Sequence, residues 1–125
     1  MMINYVVLSL ILLDVALNVA GQLSLKFGMS QMGNFSLSLP ALSSVFLRAA
    51  TNPFVVLGLC CYGMGFMVWL IVLAKAEVSY AYPMISLGYV FTAILAWQFF
   101  GEHVTVFRMV GILITCVGVF LIATS

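Results

Sequence analysis

Polar side chains recur every four residues in the first apolar stretch of the chain, at Asp14, Asn18 and Gln22, and Lys26 extends the series. A spacing of four places side chains on one face of a helix. A carboxyl group in apolar surroundings must be protonated, pair with a cation or bind a ligand, and a hydrogen bond to a neighbouring helix is the structural alternative. Lys26 can reach phosphate groups or act only as an interface anchor. The spacing predicts one polar face.

Hydroxyl groups form a second polar series later in the chain, at Tyr82, Ser86 and Tyr89. Their spacing of four and then three places them along one helix face. Pro83 and Gly88 lie within the same stretch and make a helix there easier to bend. The series suits the lining of a polar path. The alternative is a tyrosine at the membrane boundary together with a hydroxyl contact between helices.

The composition determines the kind of protein that carries these residues. Of 125 residues, 66% are hydrophobic and 6% are charged, whereas charged residues make up about 25% of a soluble domain. The chain is therefore an integral membrane protein with a single domain. A net charge of +1 gives no indication of nucleic-acid binding. Cys60, Cys61 and Cys116 lack the spacing of a metal site or redox pair, and we expect no metal and no cofactor.

The apolar runs predict an all-α fold with four transmembrane helices, because about 20 helical residues cross a hydrocarbon core of about 30 Å. The predicted spans cover residues 3–25, 53–75, 79–100 and 106–123. The first run resembles a retained span more than a signal peptide. Between the first two spans, residues 40–50 show the pattern of a short amphipathic helix on the membrane surface, with a disordered linker as the alternative.

Small and aromatic residues of the second span indicate how it packs. Gly58, Gly63 and Gly65 are typical of a close-packed helix face. Tyr62 and Trp69 either line a cavity or serve as packing and boundary residues.

In the last span, Gly111 and Gly118 are seven residues apart and Thr115 lies between them on the same face. A stripe of small residues lets two helix backbones approach closely. We expect this stripe to form the contact between protomers of a dimer, because four helices alone enclose little cavity.

Basic residues set the expected orientation. Lys26, Arg48 and Arg108 follow the first or third span, whereas Lys75 follows the second. This excess of basic residues favours placing the connections after the first and third spans inside the cell, with both termini outside. Glu102 balances Arg108, so insertion in both orientations remains the alternative.

Two runs of the chain resemble a known family. The first, from Asn18 to Lys26, reads Asn-Val-Ala-Gly-Gln-Leu-Ser-Leu-Lys, and the second, from Tyr82 to Leu87, reads Tyr-Pro-Met-Ile-Ser-Leu and is followed by Glu102. Together they resemble the drug/metabolite transporter superfamily in its four-span form, and most closely the aminoarabinose-phosphoundecaprenol flippase subunits, over nearly the whole chain.

The resemblance implies a transporter and not an enzyme. It would move a polyprenyl-phosphate-linked sugar or a similar amphipathic anion across the bacterial or archaeal inner membrane by alternating access. It would act as a homodimer or with a second four-span chain, and without nucleic acid. Lys26 would meet the phosphate while the lipid tail stays in the bilayer. The head group would lie in a polar groove built from the two helix faces, with Asp14, Asn18, Gln22, Tyr82, Ser86 and Tyr89 as the other substrate-binding residues.

Two other functions remain open. The chain also resembles, more distantly, the small multidrug resistance exporters, but Asn18 stands where they carry a proton-exchanging glutamate and Ile85 where they carry a tryptophan. A proton-coupled exporter of cationic compounds would have to use Asp14 as its coupling residue. The third possibility is a non-transporting partner that stabilises a larger membrane enzyme.

Overall fold

The structure is a computed structural model that describes residues 5–125. The predicted start of the first span, at residue 3, lies outside the described residues. The described chain folds into six helices: α1 (Tyr5–Ser30), α2 (Leu39–Thr51), α3 (Pro53–Lys75), α4 (Val78–Ile85), α5 (Leu87–Phe100) and α6 (Val106–Ala123).

Four helical segments are long and apolar enough to cross a membrane. They are α1, α3, the combined α4 and α5, and α6, with mean hydropathies of 2.0, 2.3, 1.4 and 2.4. The third segment has the lowest value because its hydroxyl side chains interrupt the apolar residues. With the shorter α2 between the first two spans, this architecture confirms the predicted all-α fold with four transmembrane helices. The position of α2 at the membrane surface stays a prediction.

The helix α1 continues for more than one turn beyond residue 25, the predicted end of the first span. Gly28, a poor helix former by its residue type, is buried where the start of α3 passes. A Cβ atom added at Gly28 would lie 2.6 Å from Cγ2 of Val55. The glycine therefore serves close packing within the helix.

The pair α1 and α3 forms the most closely packed part of the described chain. Gly21 of α1 faces Gly58 of α3, and the glycines seven residues further along each helix, Gly28 and Gly65, face side chains of the other helix. A Cβ atom added at Gly58 would lie 2.9 Å from the backbone oxygen of Gly21. We call this contact the glycine seam. Since lipid tails are as apolar as leucine, such close packing contributes much of the attraction between helices in a membrane.

The start of α3 is held by Asn52 as well as by the seam. Its side-chain oxygen accepts hydrogen bonds from the backbone nitrogens of Phe54 and Val55 at 2.9 and 3.3 Å. Its side-chain nitrogen donates to the side-chain oxygen of Gln31 at 2.9 Å. Asn52 therefore caps α3 and ties it to the turn after α1.

The third span is divided where α4 meets α5. Pro83 has no backbone N–H and cannot complete the helical ladder. At the junction, the backbone N–H and the hydroxyl of Ser86 both donate to the carbonyl oxygen of Pro83. The α5 helix then ends at Gly101, whose positive φ of 64° suits a glycine that terminates a helix. The helical hydrogen bonding is therefore interrupted at Ser86, whose backbone angles remain in the right-handed helical region.

The last helix, α6, packs mainly against α4 and α5. Within the described chain, Val119 is its one buried residue, and most of its apolar surface is exposed. Thr105 caps its start by accepting a hydrogen bond from the backbone nitrogen of Arg108 at 3.1 Å. This helix lies apart from α1 and α3 and has a free face.

The glycine seam generates a stability prediction. Gly58→Ala should destabilise the protein by about 1–3 kcal/mol, because the new methyl group meets a backbone oxygen that can move only if the helices separate. Gly63→Ala is the matched control on the same helix, since an added Cβ there meets nothing within 4 Å. It should be neutral or slightly stabilising, because alanine is the better helix former. Thermal unfolding in detergent measures both, and equal stability of the two variants would contradict the seam.

Candidate functional site

A cavity of about 1100 Å³ lies between α1, α3, α4 and α5. Its wall includes six of the seven substrate-binding residues predicted from the sequence: Asp14, Asn18, Gln22, Tyr82, Ser86 and Tyr89. The two polar series, which are far apart in sequence, therefore face the same space. The seventh predicted residue, Lys26, lies at the edge of this space.

The polar series of α1 runs obliquely across the helix surface. Each step of four residues turns a side chain by about 40° around the helix, whereas each step of seven turns it back by only about 20°. Glycines spaced by seven residues therefore stay in the seam, whereas polar residues spaced by four turn progressively away from it. Accordingly Asp14 is buried, Asn18 is half-buried, and Gln22 and Lys26 are exposed.

Asp14 lies at the buried end of this series, with 7% of its surface exposed. Its carboxylate faces the cavity and makes no hydrogen bond or ion pair with any described residue. Across the seam, a Cβ atom added at Gly65 would lie 2.9 Å from its Oδ1 atom. The absence of a side chain at Gly65 therefore makes room for the carboxylate.

Aromatic rings from α3, α4 and α5 form much of the remaining wall. Trp69 and Tyr82 are in edge-to-face contact, with ring centroids 5.9 Å apart. Tyr82 is 68% exposed and Tyr89 is 73% exposed, although both line the cavity. Both rings are therefore exposed at the open side of the cavity.

Ser86 differs from the other residues of its series. Its hydroxyl donates to the carbonyl oxygen of Pro83 and closes the break between α4 and α5. Only the lone pairs of its oxygen remain for a ligand. The sequence spacing placed this hydroxyl on the correct face but did not reveal that its proton is already bound within the helix.

Lys26 forms an ion pair at one end of the cavity. Its Nζ atom lies 3.8 Å from Oε1 of Glu102, and Glu102 itself lines the cavity. Both side chains are partly exposed, at 57% and 42%. Ion pairs in such settings contribute about 0–1 kcal/mol. A ligand carrying a stronger negative charge can therefore displace Glu102 from the lysine.

Several cavity residues were not among the predicted binding residues. Tyr62 and Trp69 line the wall, which was one of the two roles considered for them. Thr92 also lines it, and its position three residues after Tyr89 continues the hydroxyl series. The sequence carried that signal. It carried none for the ion pair of Glu102 with Lys26, which lies 76 residues earlier in the chain (102 − 26 = 76).

The predicted interface residues lie on α6, away from the cavity. A Cβ atom added at Gly111 or Gly118 would meet nothing within 4 Å. The hydroxyl of Thr115 donates to the carbonyl oxygen of Gly111 at 2.9 Å, within the same helix. The stripe is therefore open on the described chain, and its role as an interface stays a prediction.

Comparison with known proteins places the chain in a family. The EamA-like transporter family matches residues 3–124. The chain is 37% identical over 117 residues to the probable 4-amino-4-deoxy-L-arabinose-phosphoundecaprenol flippase subunit ArnE of Pseudomonas fluorescens strain Pf-5, covering 93% of this chain and 96% of the relative. A second ArnE, from strain Pf0-1, is 35% identical over 90% of this chain and 93% of its own.

A subunit with a different name is similar as well. The probable flippase subunit ArnF of Proteus mirabilis is 36% identical over 106 residues, which cover 82% of this chain and 80% of the relative. No solved structure matches the chain. The relatives span nearly the same length as this chain. The protein is therefore a multi-pass member of the EamA-like transporter family, similar over most of its length to the aminoarabinose-phosphoundecaprenol flippase subunits.

Proposed function

We propose that this protein is a flippase subunit that moves a polyprenyl-phosphate-linked sugar, or a similar amphipathic anion, across the bacterial inner membrane. Transport proceeds by alternating access and needs no covalent chemistry. The observation that carries the proposal is the cavity: polar side chains line its interior, a lysine stands at its edge, and two exposed tyrosines lie at its open side.

Polar groups in the cavity that have no partner within the described chain can form hydrogen bonds with a sugar. The side chains of Asn18, Gln22, Tyr82 and Tyr89 make no hydrogen bond to any described residue. The amides and phenols provide both donors and acceptors, which match the hydroxyl groups of a sugar. A sugar in the cavity therefore gains partners that the protein does not supply to itself.

The open side of the cavity supplies the path of the lipid tail. A polyprenyl chain is too apolar to enter a polar cavity, and it gains nothing by leaving the bilayer. With Tyr82 and Tyr89 exposed at the open side, the head group can enter while the tail remains among lipids. The aromatic rings have an apolar face and a polar tip, which suits that boundary.

The break between α4 and α5 supports alternating access. The glycine seam holds α1 and α3 together, whereas the opposite wall consists of two short helices joined at Ser86. A rotation at this junction would move Tyr82 and Tyr89 relative to one another, and so change which end of the cavity is open. The seam would stay fixed during this motion.

The partner in this proposal is a second four-span chain, either a copy of this one or a homologous subunit. The relatives are named as subunits, and two differently named subunits, ArnE and ArnF, are both similar to this chain. The face of α6 that carries Gly111, Thr115 and Gly118 is free to contact a partner. The orientation with Lys26 inside the cell follows from the basic residues.

A proton-coupled exporter of cations is the second candidate. One observation favours it, the unpaired carboxylate of Asp14 in the cavity. The free amide and hydroxyl groups and the lysine at the edge favour the sugar phosphate instead. Binding should depend on Lys26 if the protein is a flippase, and on Asp14 if it is an exporter of cations.

The first functional prediction concerns Lys26. Lys26→Ala should weaken binding of an undecaprenyl-phosphate sugar by about tenfold, because a charge-assisted hydrogen bond to the phosphate is lost. Lys26→Arg should keep most of the affinity. Glu102→Gln should increase affinity up to about fivefold, because it removes the competing carboxylate. Quenching of tryptophan fluorescence in nanodiscs measures these changes, since Trp69 lines the cavity.

Lys75→Ala provides the matched control, because Lys75 lies at the end of α3 and outside the cavity wall. Its affinity for the lipid should equal that of the wild type. Tight binding of a lipophilic cation, lost in Asp14→Asn and unchanged in Lys26→Ala, would replace the flippase with the exporter.

The second functional prediction concerns assembly. Gly118→Leu should shift the dimer towards monomer in detergent and abolish transport, because a bulky side chain separates the backbones at the predicted contact. Val117→Leu is the control on an adjacent, exposed face of α6 and should leave the dimer intact. Cysteine cross-linking from Gly111→Cys provides an independent measurement. An unchanged dimer in Gly118→Leu would move the interface to another helix.

A further inference from the structure

The two ends of the cavity are bounded by different kinds of contact. Asp14 marks the buried end, and one turn before it Ile11 belongs to a core cluster with Val72 of α3 and Ala81 of α4. None of these three apolar side chains has any exposed surface. A charged ligand finds no partner among them, so this apolar end of the bundle has no contact that such a ligand could replace.

At the other end of the cavity, partly exposed side chains join α1 to the end of α5. The Lys26–Glu102 ion pair connects the last two turns of α1 with the residue that follows the terminating glycine of α5. Beside it, the rings of Phe27 and Phe100 have centroids 6.4 Å apart. Unlike the apolar end, this end contains a charge that an anionic ligand can bind.

The helix α5 has few other buried contacts. Of its fourteen residues, only Gly88 and Ala96 are buried, and it is joined to α4 at the junction at Ser86. A single ion pair is therefore a substantial part of the attachment at the end of α5. If that pair breaks, the end of α5 is free to turn about the junction.

A phosphate group can break the pair because it competes for the same lysine. The Nζ atom of Lys26 and Oε1 of Glu102 are 3.8 Å apart, which is longer than a hydrogen bond, and both side chains are partly exposed. A charge-assisted hydrogen bond from the lysine to a phosphate oxygen is the stronger interaction. Once the phosphate is bound, its charge repels the carboxylate of Glu102.

We infer that the Lys26–Glu102 ion pair is a latch that the phosphate of the substrate opens. The phosphate takes over Lys26, Glu102 is released, and the end of α5 separates from α1. This inference rests on the proposed function, and it assigns to Glu102 the coupling of substrate binding to helix movement. The competition between phosphate and Glu102 supplies the differential interaction that a ligand needs in order to shift a conformational equilibrium.

The test measures the distance between α1 and α5 by double electron–electron resonance in nanodiscs. Nitroxide labels on Ser30→Cys and Phe99→Cys report on the latch, because both side chains are exposed and neither belongs to the ion pair. Labelled chains are diluted with unlabelled ones, so that only distances within one protomer are measured. The native cysteines are first replaced by alanine: Cys60, Cys61 and Cys116.

A second pair of labels provides the spatial control. Tyr5→Cys and Val78→Cys carry labels at exposed positions near the starts of α1 and α4, at the apolar end of the bundle. Opening of the latch should leave this distance unchanged, because no ion pair of the described residues lies at that end.

Two lipids with the same tail test the role of the phosphate. Saturating undecaprenyl phosphate should raise the ratio of separated to joined molecules by up to about fivefold, as expected for the loss of one partly exposed ion pair. Undecaprenol, which lacks the phosphate, should leave the distances of the wild type unchanged.

Variants then assign the movement to the ion pair. Glu102→Gln should show the separated state without lipid, and undecaprenyl phosphate should add nothing further, because no pair remains to be broken. Glu77→Gln, which removes a carboxylate at the start of α4, should behave as the wild type.

A charge exchange tests whether attraction alone closes the latch. Lys26→Glu places two carboxylates together and should separate the helices, whereas Lys26→Glu combined with Glu102→Lys should restore the joined state. A role of either side chain in packing would not produce this rescue.

The outcomes distinguish failure of the latch from failure of the flippase. Unchanged distances in Glu102→Gln, or equal separation by undecaprenol, would overturn the latch. If undecaprenyl phosphate quenches the fluorescence of Trp69 but leaves the wild-type distances unchanged, the latch is wrong and the flippase stands. If this lipid does not bind to the wild type, both the latch and the proposed function fail. The comparison of the two lipids on the wild type does not depend on the folding of any latch variant.

Discussion

The close contact of α1 with α3 through their glycines is the constraint on which the rest of the structure depends. In a membrane the helices gain little from the hydrophobic effect, so backbones must come close for packing to hold them. The seam brings Gly65 so near to Asp14 that no other residue type fits without moving the carboxylate. It thereby fixes one wall of the cavity and the buried end of its polar series.

The opposite wall of the cavity, formed by α4 and α5, is less rigid than the wall formed by α1 and α3. This difference between the two walls has a functional consequence. The helices α4 and α5 are short, meet at a proline-containing break, and carry exposed aromatic side chains. A wall of this kind can change its shape at low cost, because one junction absorbs the change in backbone angles. A cavity with one rigid and one divided wall can bind a head group firmly while it changes the direction of opening.

The fold was predictable from the sequence because apolar length alone determines which helices can cross a membrane. The faces of Asn18 and Tyr82 were predictable as well, since helical spacing orders neighbouring residues. Contacts between residues that lie far apart in the sequence were not predictable. The pair of Lys26 with Glu102 and the apposition of Asp14 with Gly65 depend on how helices pack, and local spacing carries no information about that. The hydrogen bond that the Ser86 hydroxyl donates to the Pro83 carbonyl oxygen was also not predictable, because it depends on the backbone conformation at the junction of α4 and α5.

The charged residues at the two ends of the polar series of α1 differ in how the protein satisfies them. Lys26, at the exposed end, has a carboxylate partner that a ligand can displace at small cost. Asp14, at the buried end, has none in the described chain, although the cost of an unpaired charge is greatest there. A structural carboxylate at that depth would be expected to hold a donor from a neighbouring helix. Since α3 instead presents a glycine to it, the packing of α1 on α3 leaves the carboxylate uncovered towards the cavity.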